Sequence, residues 1–353
     1  IESCMAAPGE LAKVLAKAGT TTIIADPHEI VNVSGTKGMD YFLKCAAKLL
    51  VNVFFMVPSA VPATDVETNG CGEFLASDMM KYVDNARVLG LGETMRFMEC
   101  CEGEKRMADK LELFAKKHID GHAPGIRGKE VQAYRLAGVE NDHECSTAEE
   151  VLDKLRAGLH IYVREGSGAK NLETLIKTML DAGVCLDRCA FCTDDKHVEE
   201  IRKEGHISTC IRKAIALGVP VAKAYKMGSY QAAEFYGLKN YGAIGAGYRA
   251  DIVFLDDLEQ VRPLDVMKDG RILTEEDYAK DYSVPVPDEL LHTVHVGEVT
   301  KEKIRLSCDG KTDVIQMNPH QIVTTHLVEE VPTENGYFKS DGVYNKICVV
   351  ERH

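Results

Sequence analysis

The sequence holds no block of consecutive basic residues, no apolar run long enough to cross a bilayer and no low-complexity tract. Each absence removes a class of function. Lys and Arg number 42 against 55 Asp and Glu, a net charge of −13. Such a chain gains no counterion release on a phosphate backbone, so nucleic acid is not an expected partner. The longest apolar run, LLVNVFFMVPSAVPA at 49–63, is interrupted by Asn52 and Pro58. It falls short of the roughly 20 residues of a spanning helix, so no membrane partner is expected either. No stretch reads as a signal peptide. The twelve cysteines lack the spacing of a small disulfide framework, which points to a reducing compartment, the cytoplasm.

From residue 20 to about 226 one rhythm repeats: a short apolar or β-branched run ends in polar residues, and a helical stretch follows. The runs lie at 20–29, 52–59, 87–93, 119–125, 138–144, 159–167 and 188–195. Helical patterns lie at 76–86, 105–118, 147–158 and 171–183, bounded by Gly, Ser, Thr or Asn. Strands alternating with helices predict a parallel sheet. Seven strands suit an open doubly wound sheet, or a (β/α)8 TIM-like barrel with its first strand missing. Polar residues at the end of every strand favour the barrel, whose strand ends ring one site. The barrel is expected over 1–226 and a return segment to a small β-sandwich domain over 227–263, with a helix at 227–238. A β-rich region follows over 264–353, with strands at 293–299 and 303–308. The start at Ile1 and the end of 345–353 inside a strand-like run suggest an internal piece of a longer protein.

The strand-end residues form one chemical set: Asp26, His28 and Glu29; Ser59; Glu93; His122; His143; Arg164 and Glu165; Asp194 and Asp195. Imidazole nitrogens and carboxylate oxygens are the donors that bind Zn, Mn or Fe(II). Two metals sharing a hydroxide provide a nucleophile at neutral pH. Singly, each residue has a plainer reading: an isolated His is commonly structural, and Glu93, DHE and TDD could cap helices. DPHEIVNV is either a turn with a solvated His or a loop that puts His28 and Glu29 beside a substrate, since Pro27 breaks the strand.

CLDRCAFCTDD at 185–195 raises a different chemistry. Its C-x3-C-x2-C spacing resembles the cluster motif of radical S-adenosylmethionine enzymes. That motif follows a first barrel strand, whereas here the cysteines precede and occupy the last. Cys189 and Cys192 stand three apart on a strand and point to opposite faces. Structural cysteines followed by functional aspartates is the favoured reading.

ADPHEIVNV (25–33), the 54–68 stretch, GLGETM (90–95), 120–150 with GHAPG and DHE, REGS (164–167), CTDDKH (192–197) and GAIGAGYRADIVFLDDL (242–258) resemble, in order, the adenine deaminases of the amidohydrolase superfamily. The resemblance covers residues 1–258 and is thinner beyond. It implies hydrolysis of adenine to hypoxanthine and ammonia by a hydroxide on two divalent ions, Mn2+ or Fe2+ rather than Zn2+, in purine salvage. It makes Glu93 the bridging ligand, His122 and His143 the paired imidazoles, and Asp194 a ligand and proton acceptor. Glu2, Glu29, Arg164 and Asp195 are expected at the substrate, with His28 or Glu165 supporting ring N1. The family's His-x-His strand ends directly before IES, the residues that open this sequence, and a further domain follows downstream. A small-molecule substrate and a homo-oligomer are expected; another cyclic amidine or amide as substrate, or a non-catalytic barrel remnant, are the alternatives.

Overall fold

The computed structural model describes residues 1–67 and 69–352; Thr68, which ends the 54–68 motif, and His353, which ends the chain, lie outside the described residues. Seven parallel strands form where the rhythm places them: β1 (Thr22–Ala25), β2 (Asn52–Val57), β3 (Val88–Leu91), β4 (His118–Ile119), β5 (Asn141–Asp142), β6 (His160–Arg164) and β7 (Cys189–Cys192). They pair as β1-β2-β3-β4 and β5-β6-β7. The Glu140 amide donates to the Ile119 carbonyl at 3.0 Å and carries the curl from one group to the other. The result is a half-barrel, its strands apolar because helices cover the outside. Among the described residues no strand joins β7 back to β1. His206 spans that interval, its Nδ1 2.9 Å from Thr20 Oγ1 and its Nε2 3.0 Å from Thr193 Oγ1.

Two cores hold the layers together. One packs the helices Pro8–Lys17 and His28–Ala46 onto β1 to β4 through Leu15, Met39, Phe42 and Phe55. The other packs Leu172–Asp181 and Ile207–Ala216 onto β6 and β7 through Ile176, Met179, Ile161 and Cys210. A third, small group, Met56, Tyr162, Ala190 and Tyr236, fills the inside of the curl. Cys189 belongs to the outer core and Cys192 to the inner face, so the two do turn opposite ways.

Several expectations shift. DPHE is not a loop: Pro27 immediately precedes a helix and His28 and Glu29 form its first turn. Proline suits a helix start because its missing N–H has no partner there to lose. Glu2 supplies the cap from a distance, its Oε1 accepting the Ile30 amide at 2.9 Å. The 76–86 helix shortens to Ala76–Met79 and a 3-10 turn, Met80–Tyr82, because Asn85 folds back to accept the Arg87 amide at 2.9 Å. The 227–238 helix splits into Val221–Gly228 and Tyr230–Phe235 at Ser229, whose hydroxyl donates to the carbonyls of Tyr225 and Gly242.

Beyond the barrel an antiparallel sheet of β8 (Ile252–Leu255), β9 (Pro263–Lys268) and β10 (Arg271–Ile272) forms. Residues 293–299, 303–308 and 345–352 form no strand, apart from an isolated bridge at Ser307. They meet other segments only at isolated points, the His295 amide donating to the Arg352 carbonyl at 2.7 Å and the Phe338 amide to the Leu306 carbonyl at 2.9 Å, and isolated bonds make no ladder. The pairing goes instead to β11 (Lys311–Gln316) with β12 (Thr325–Glu330), and to β13 (Thr333–Glu334) with β14 (Tyr337–Phe338).

Close strand approach demands glycine at one inner position. A Cβ on Gly90 of β3 would lie 1.9 Å from the His118 carbonyl oxygen of β4 and 2.7 Å from Met56 Cε. Gly90→Ala is therefore expected to cost about 1–3 kcal/mol or more, read as a lower urea midpoint; an unchanged midpoint would contradict the β3–β4 register.

Candidate metal centre

Glu93 follows β3, and two side chains fix its backbone. Its amide donates to Asp26 Oδ2 at 2.8 Å, and its carbonyl accepts Ser59 Oγ at 2.5 Å. Ser59 is held in turn, since the buried Lys110 ammonium donates to its carbonyl at 2.6 Å. Gly92 leaves room for this: a Cβ there would sit 2.1 Å from Asp26 Oδ2. The ends of β1, β2 and β3 are thus tied together before any metal chemistry is considered.

His122 and His143 follow β4 and β5. The His122 amide donates to Tyr134 Oη at 2.9 Å, and that hydroxyl donates to the Thr94 carbonyl at 3.1 Å. Asp142 accepts the amides of Ala123 at 2.8 Å and Glu144 at 2.9 Å, and the Lys154 ammonium at 2.9 Å. Lys154 also donates to the Ala123 carbonyl at 2.7 Å. Both members of this pair are 0% exposed. One buried ion pair therefore fastens the loop carrying His122 to the loop carrying His143.

The side chains converge. Glu93 Oε2 lies 2.8 Å from His122 Nδ1 and 3.4 Å from His143 Nε2, and Glu93 Oε1 lies 3.8 Å from His28 Nδ1. Glu144 Oε1 approaches the same two imidazoles at 3.5 and 3.4 Å, and Asp194 Oδ2 is 3.8 Å from His143 Nε2. Asp26 Oδ1 is 3.7 Å from His28 Nδ1. Donor atoms of Glu93, His122 and His143 lie within 4.8 Å of one another, as do those of Asp26, His28 and Glu93, and of His143, Glu144 and Asp194. Glu93 and His143 are shared between these groups, at the wall of a cavity of about 290 Å³.

Residues 2–273 match the amidohydrolase family. The chain belongs to the amidohydrolase family. It is 43% identical over 354 residues to an adenine deaminase of Desulfitobacterium hafniense (strain Y51), covering 100% of this chain and 62% of that protein. It is 41% identical over 360 residues to an adenine deaminase of Clostridium acetobutylicum, covering 100% and 63%. The amidohydrolase chain thus spans less than two thirds of the length of these curated relatives. Among solved structures, it is similar to that of an adenine deaminase, with a TM-score of 0.53 at 17% identity over 74% of this chain and 80% of that one. The β-aspartyl dipeptidase of Fervidobacterium islandicum AW-1 in complex with β-Asp-Leu dipeptide gives a TM-score of 0.53 at 17% identity over 75% and 77%. Both likenesses speak to the fold, a TIM-like α/β barrel.

The family is metal-dependent, and the donors present in this amidohydrolase suit a divalent cation. Burial disfavours charge on the imidazoles, yet the carboxylates outweigh it. Asp26, Glu93 and Glu29 push His28 up to about 11; Glu93, Asp194 and Glu144 push His143 up to about 10. Burial would also raise Glu93, but His143, His122 and His28 hold it well below the usual carboxylate range. Asp26 Oδ1, His28 Nδ1 and His143 Nε2 are buried without a hydrogen-bond partner. Excess negative charge with unpaired lone-pair atoms is the environment a cation relieves. The donors are nitrogen and oxygen, which suit Mn, Fe or Zn.

Not every expected site residue joins the cluster. Glu29 and Asp195 line the cavity with His28 and Asp194. Glu2 is occupied with the helix start at Ile30. Arg164 is buried and engages Glu144 and Asp194, and Glu165 is buried against Lys213 at 2.5 Å. Neither lines the cavity. Asp120, not singled out from sequence, lies on the cavity wall, where it accepts Asn141 Nδ2 at 2.5 Å and the Tyr236 hydroxyl at 2.8 Å; burial pushes its carboxyl up to about 7. Lys110 and Lys154 also escaped notice, although each stands on the apolar stripe of its helix, three residues after Met107 and Val151.

Removing one member of the Lys154–Asp142 pair strands a buried charge. Lys154→Ala is expected to lower the unfolding free energy by about 3–5 kcal/mol, and Lys154→Met with Asp142→Asn by less than the two single changes together. Burial opposes the charge on Asp142, but Lys154 holds its carboxyl below the ordinary value. Its contribution is present above the unfolded carboxyl pKa and lost as pH falls through the folded one. Urea melts should therefore show the gap between wild type and Lys154→Ala narrowing in acid. A loss below about 1 kcal/mol at neutral pH would show that the pair is not the fastening it appears in the structure.

Proposed function

We propose that this amidohydrolase chain carries the site of a hydrolytic adenine deaminase, turning adenine and water into hypoxanthine and ammonia. The reading is carried by Glu93, His143 and Asp194 on one cavity wall, with His122 against Glu93 behind them. This arrangement occurs in a chain 43% identical to a protein named adenine deaminase. Glu93, His122, His143 and Asp194 are the residues proposed to hold two divalent ions, with Mn2+ or Fe2+ preferred over Zn2+. Bound there, such ions would lower the pKa of water enough to make hydroxide available near neutral pH.

The remaining work falls to side chains. Water adding to C6 must lose a proton, ring N1 must gain one, and the departing amine must be protonated. Asp194, partly exposed at the cavity wall, is proposed to accept the proton from water and return it to the leaving amine. For ring N1 the two candidates now differ. His28 lines the cavity, its Nδ1 3.7 Å from Asp26 Oδ1, whereas Glu165 lies outside the cavity and is taken up by Lys213. His28 is therefore the proposed donor. With N1 and the amine protonated, the C6–N bond breaks as the C6 hydroxyl becomes a carbonyl and its proton restores His28, and hypoxanthine and ammonia leave. Glu29 and Asp195, which line the cavity, are proposed to meet the purine edge.

Twelve free cysteines fit a reducing compartment, which suits purine salvage in the cytoplasm. The division into a barrel over 1–226, a return segment over 227–263 and a β-rich region over 264–353 follows the change from parallel to antiparallel pairing. Exposed apolar side chains such as Val328 and Ile315 on β11 and β12 suit self-association.

Ammonia release from adenine by the Mn(II)-loaded protein tests the assignment. Glu93→Gln should retain less than about 1% of the rate, a larger loss than the roughly 10–100-fold typical of residues that only support a ligand. Chelation should abolish release and added Mn(II) restore it. A folded, metal-loaded protein that releases no ammonia from adenine would exclude adenine and turn attention to other cyclic amidines.

A further inference from the structure

Arg164 stands at the end of β6, the place from which a barrel residue ordinarily reaches substrate. Its guanidinium turns the other way. It is 3% exposed and grips Glu144, itself 1% exposed, through both carboxylate oxygens, with Nη2 to Oε2 at 2.9 Å. The nitrogen that meets Glu144 Oε1, Nη1, also donates to Asp194 Oδ2 at 2.6 Å. One donor nitrogen thus sits between two carboxylates that face the imidazoles of His122 and His143.

Asp194 needs such a partner. Its backbone lies in the left-handed region at φ 54°, where a non-glycine residue is uncommon and gains nothing from the strand ladder. Its Oδ1 accepts the amide of Asp195 at 2.7 Å, which secures one oxygen only. Arg164 secures the other. The same cation allows Glu144 and Asp194 to stand side by side, where two uncompensated carboxylates would repel. The planar fork suits this task better than an ammonium, since it presents two parallel donors to Glu144 and still reaches a second acid.

We infer that Arg164 is a positioning residue that sets Asp194 and Glu144 against His143, and that Glu144 is a further carboxylate of the cation-binding set. The inference rests on the metal reading proposed above and replaces a substrate contact for Arg164 with a structural hold on the acids. Neither residue lines the cavity.

The test is Mn(II) titration of the protein, with free Mn(II) followed by electron paramagnetic resonance, for wild type, Arg164→Met and Glu144→Gln. Thermal melts are run on each, with kcat and KM for adenine beside them. Both variants should weaken Mn(II) binding by about tenfold or more and lower kcat, with KM changing by less than about twofold, the pattern of a lost transition-state contribution. Unchanged Mn(II) affinity in a folded Arg164→Met, with KM raised, would overturn the inference and return Arg164 to the substrate. If Arg164→Met does not fold, the isosteric Glu144→Gln decides: wild-type Mn(II) affinity in it overturns the role of Glu144 and the positioning that runs through it. Failure of wild type itself to bind Mn(II) would instead overturn the metal reading, and this inference with it.

Discussion

Lys154 brings a positive charge to a place water does not reach, and Asp142 and the Ala123 carbonyl are what it finds there. A buried pair of this kind is not a cheap source of stability, because desolvation offsets much of the attraction. Its value is geometric. Asp142 spends its remaining lone pairs on the amides of Ala123 and Glu144, so the two short strands β4 and β5 end in loops with a fixed relation. Two-residue strands could not fix that relation with their own ladder. His122 and His143 can face one another, ring centroids 5.3 Å apart, because their backbones are pinned from beneath. Lys110 does the equivalent for Ser59 and Glu93 on the other half of the curl.

With the backbones fixed, the acids dictate the electrostatics. Asp26, Glu93, Glu144 and Asp194 crowd around three imidazoles, and Arg164 is the permanent cation within hydrogen-bond reach of two of those acids. The region divides by compensation. Arg164 balances the acids on the β5–β7 side, while Asp26 and Glu93 on the β1–β3 side look to His28. The high proton affinity of His28 and His143 expresses the part of the negative charge that no fixed cation balances. Metal binding and protonation draw on that same surplus, so the two are linked: a cation taken up there displaces protons from the imidazoles.

Much of this was legible in the amino-acid order, and for a physical reason. Strand positions followed from short apolar runs ending in polar residues, and all seven form where that pattern lies. A barrel brings strand ends together whatever their separation in sequence, so Glu93, His122, His143 and Asp194 could be grouped before any distance was known. What stayed hidden was direction. The sequence shows that Arg164 and Glu165 end a strand, but not that both are claimed by buried or neighbouring charges. Lys154 and Lys110 read as solvated helix charges until their place on the apolar stripe is noticed. Lysine three residues after Val151 or Met107 lies over the core. The C-terminal strands failed for the opposite reason: alternation in 293–299 is a property of one segment, while a strand needs two.

The same distinction explains which parts of the site are robust to sequence reading and which are not. A metal-type donor at a strand end is specified locally, by residue type and by the strand that stops before it. A group that aims such a donor is specified by its partner, which lies elsewhere in the chain: Asp26 for the Glu93 amide, Tyr134 for His122, Lys154 for Asp142, Arg164 for Asp194. These pairs are 67, 12, 12 and 30 residues apart. Tyr134 and Lys154 reach back from the helix that follows the strand they serve, while Asp26 and Arg164 reach across from other strand ends, so helix packing and the curl of the sheet, rather than any motif, supply the proximity. The chemistry of the centre is thus written in its motifs, and its geometry in the packing of the helices that carry Lys110, Tyr134 and Lys154.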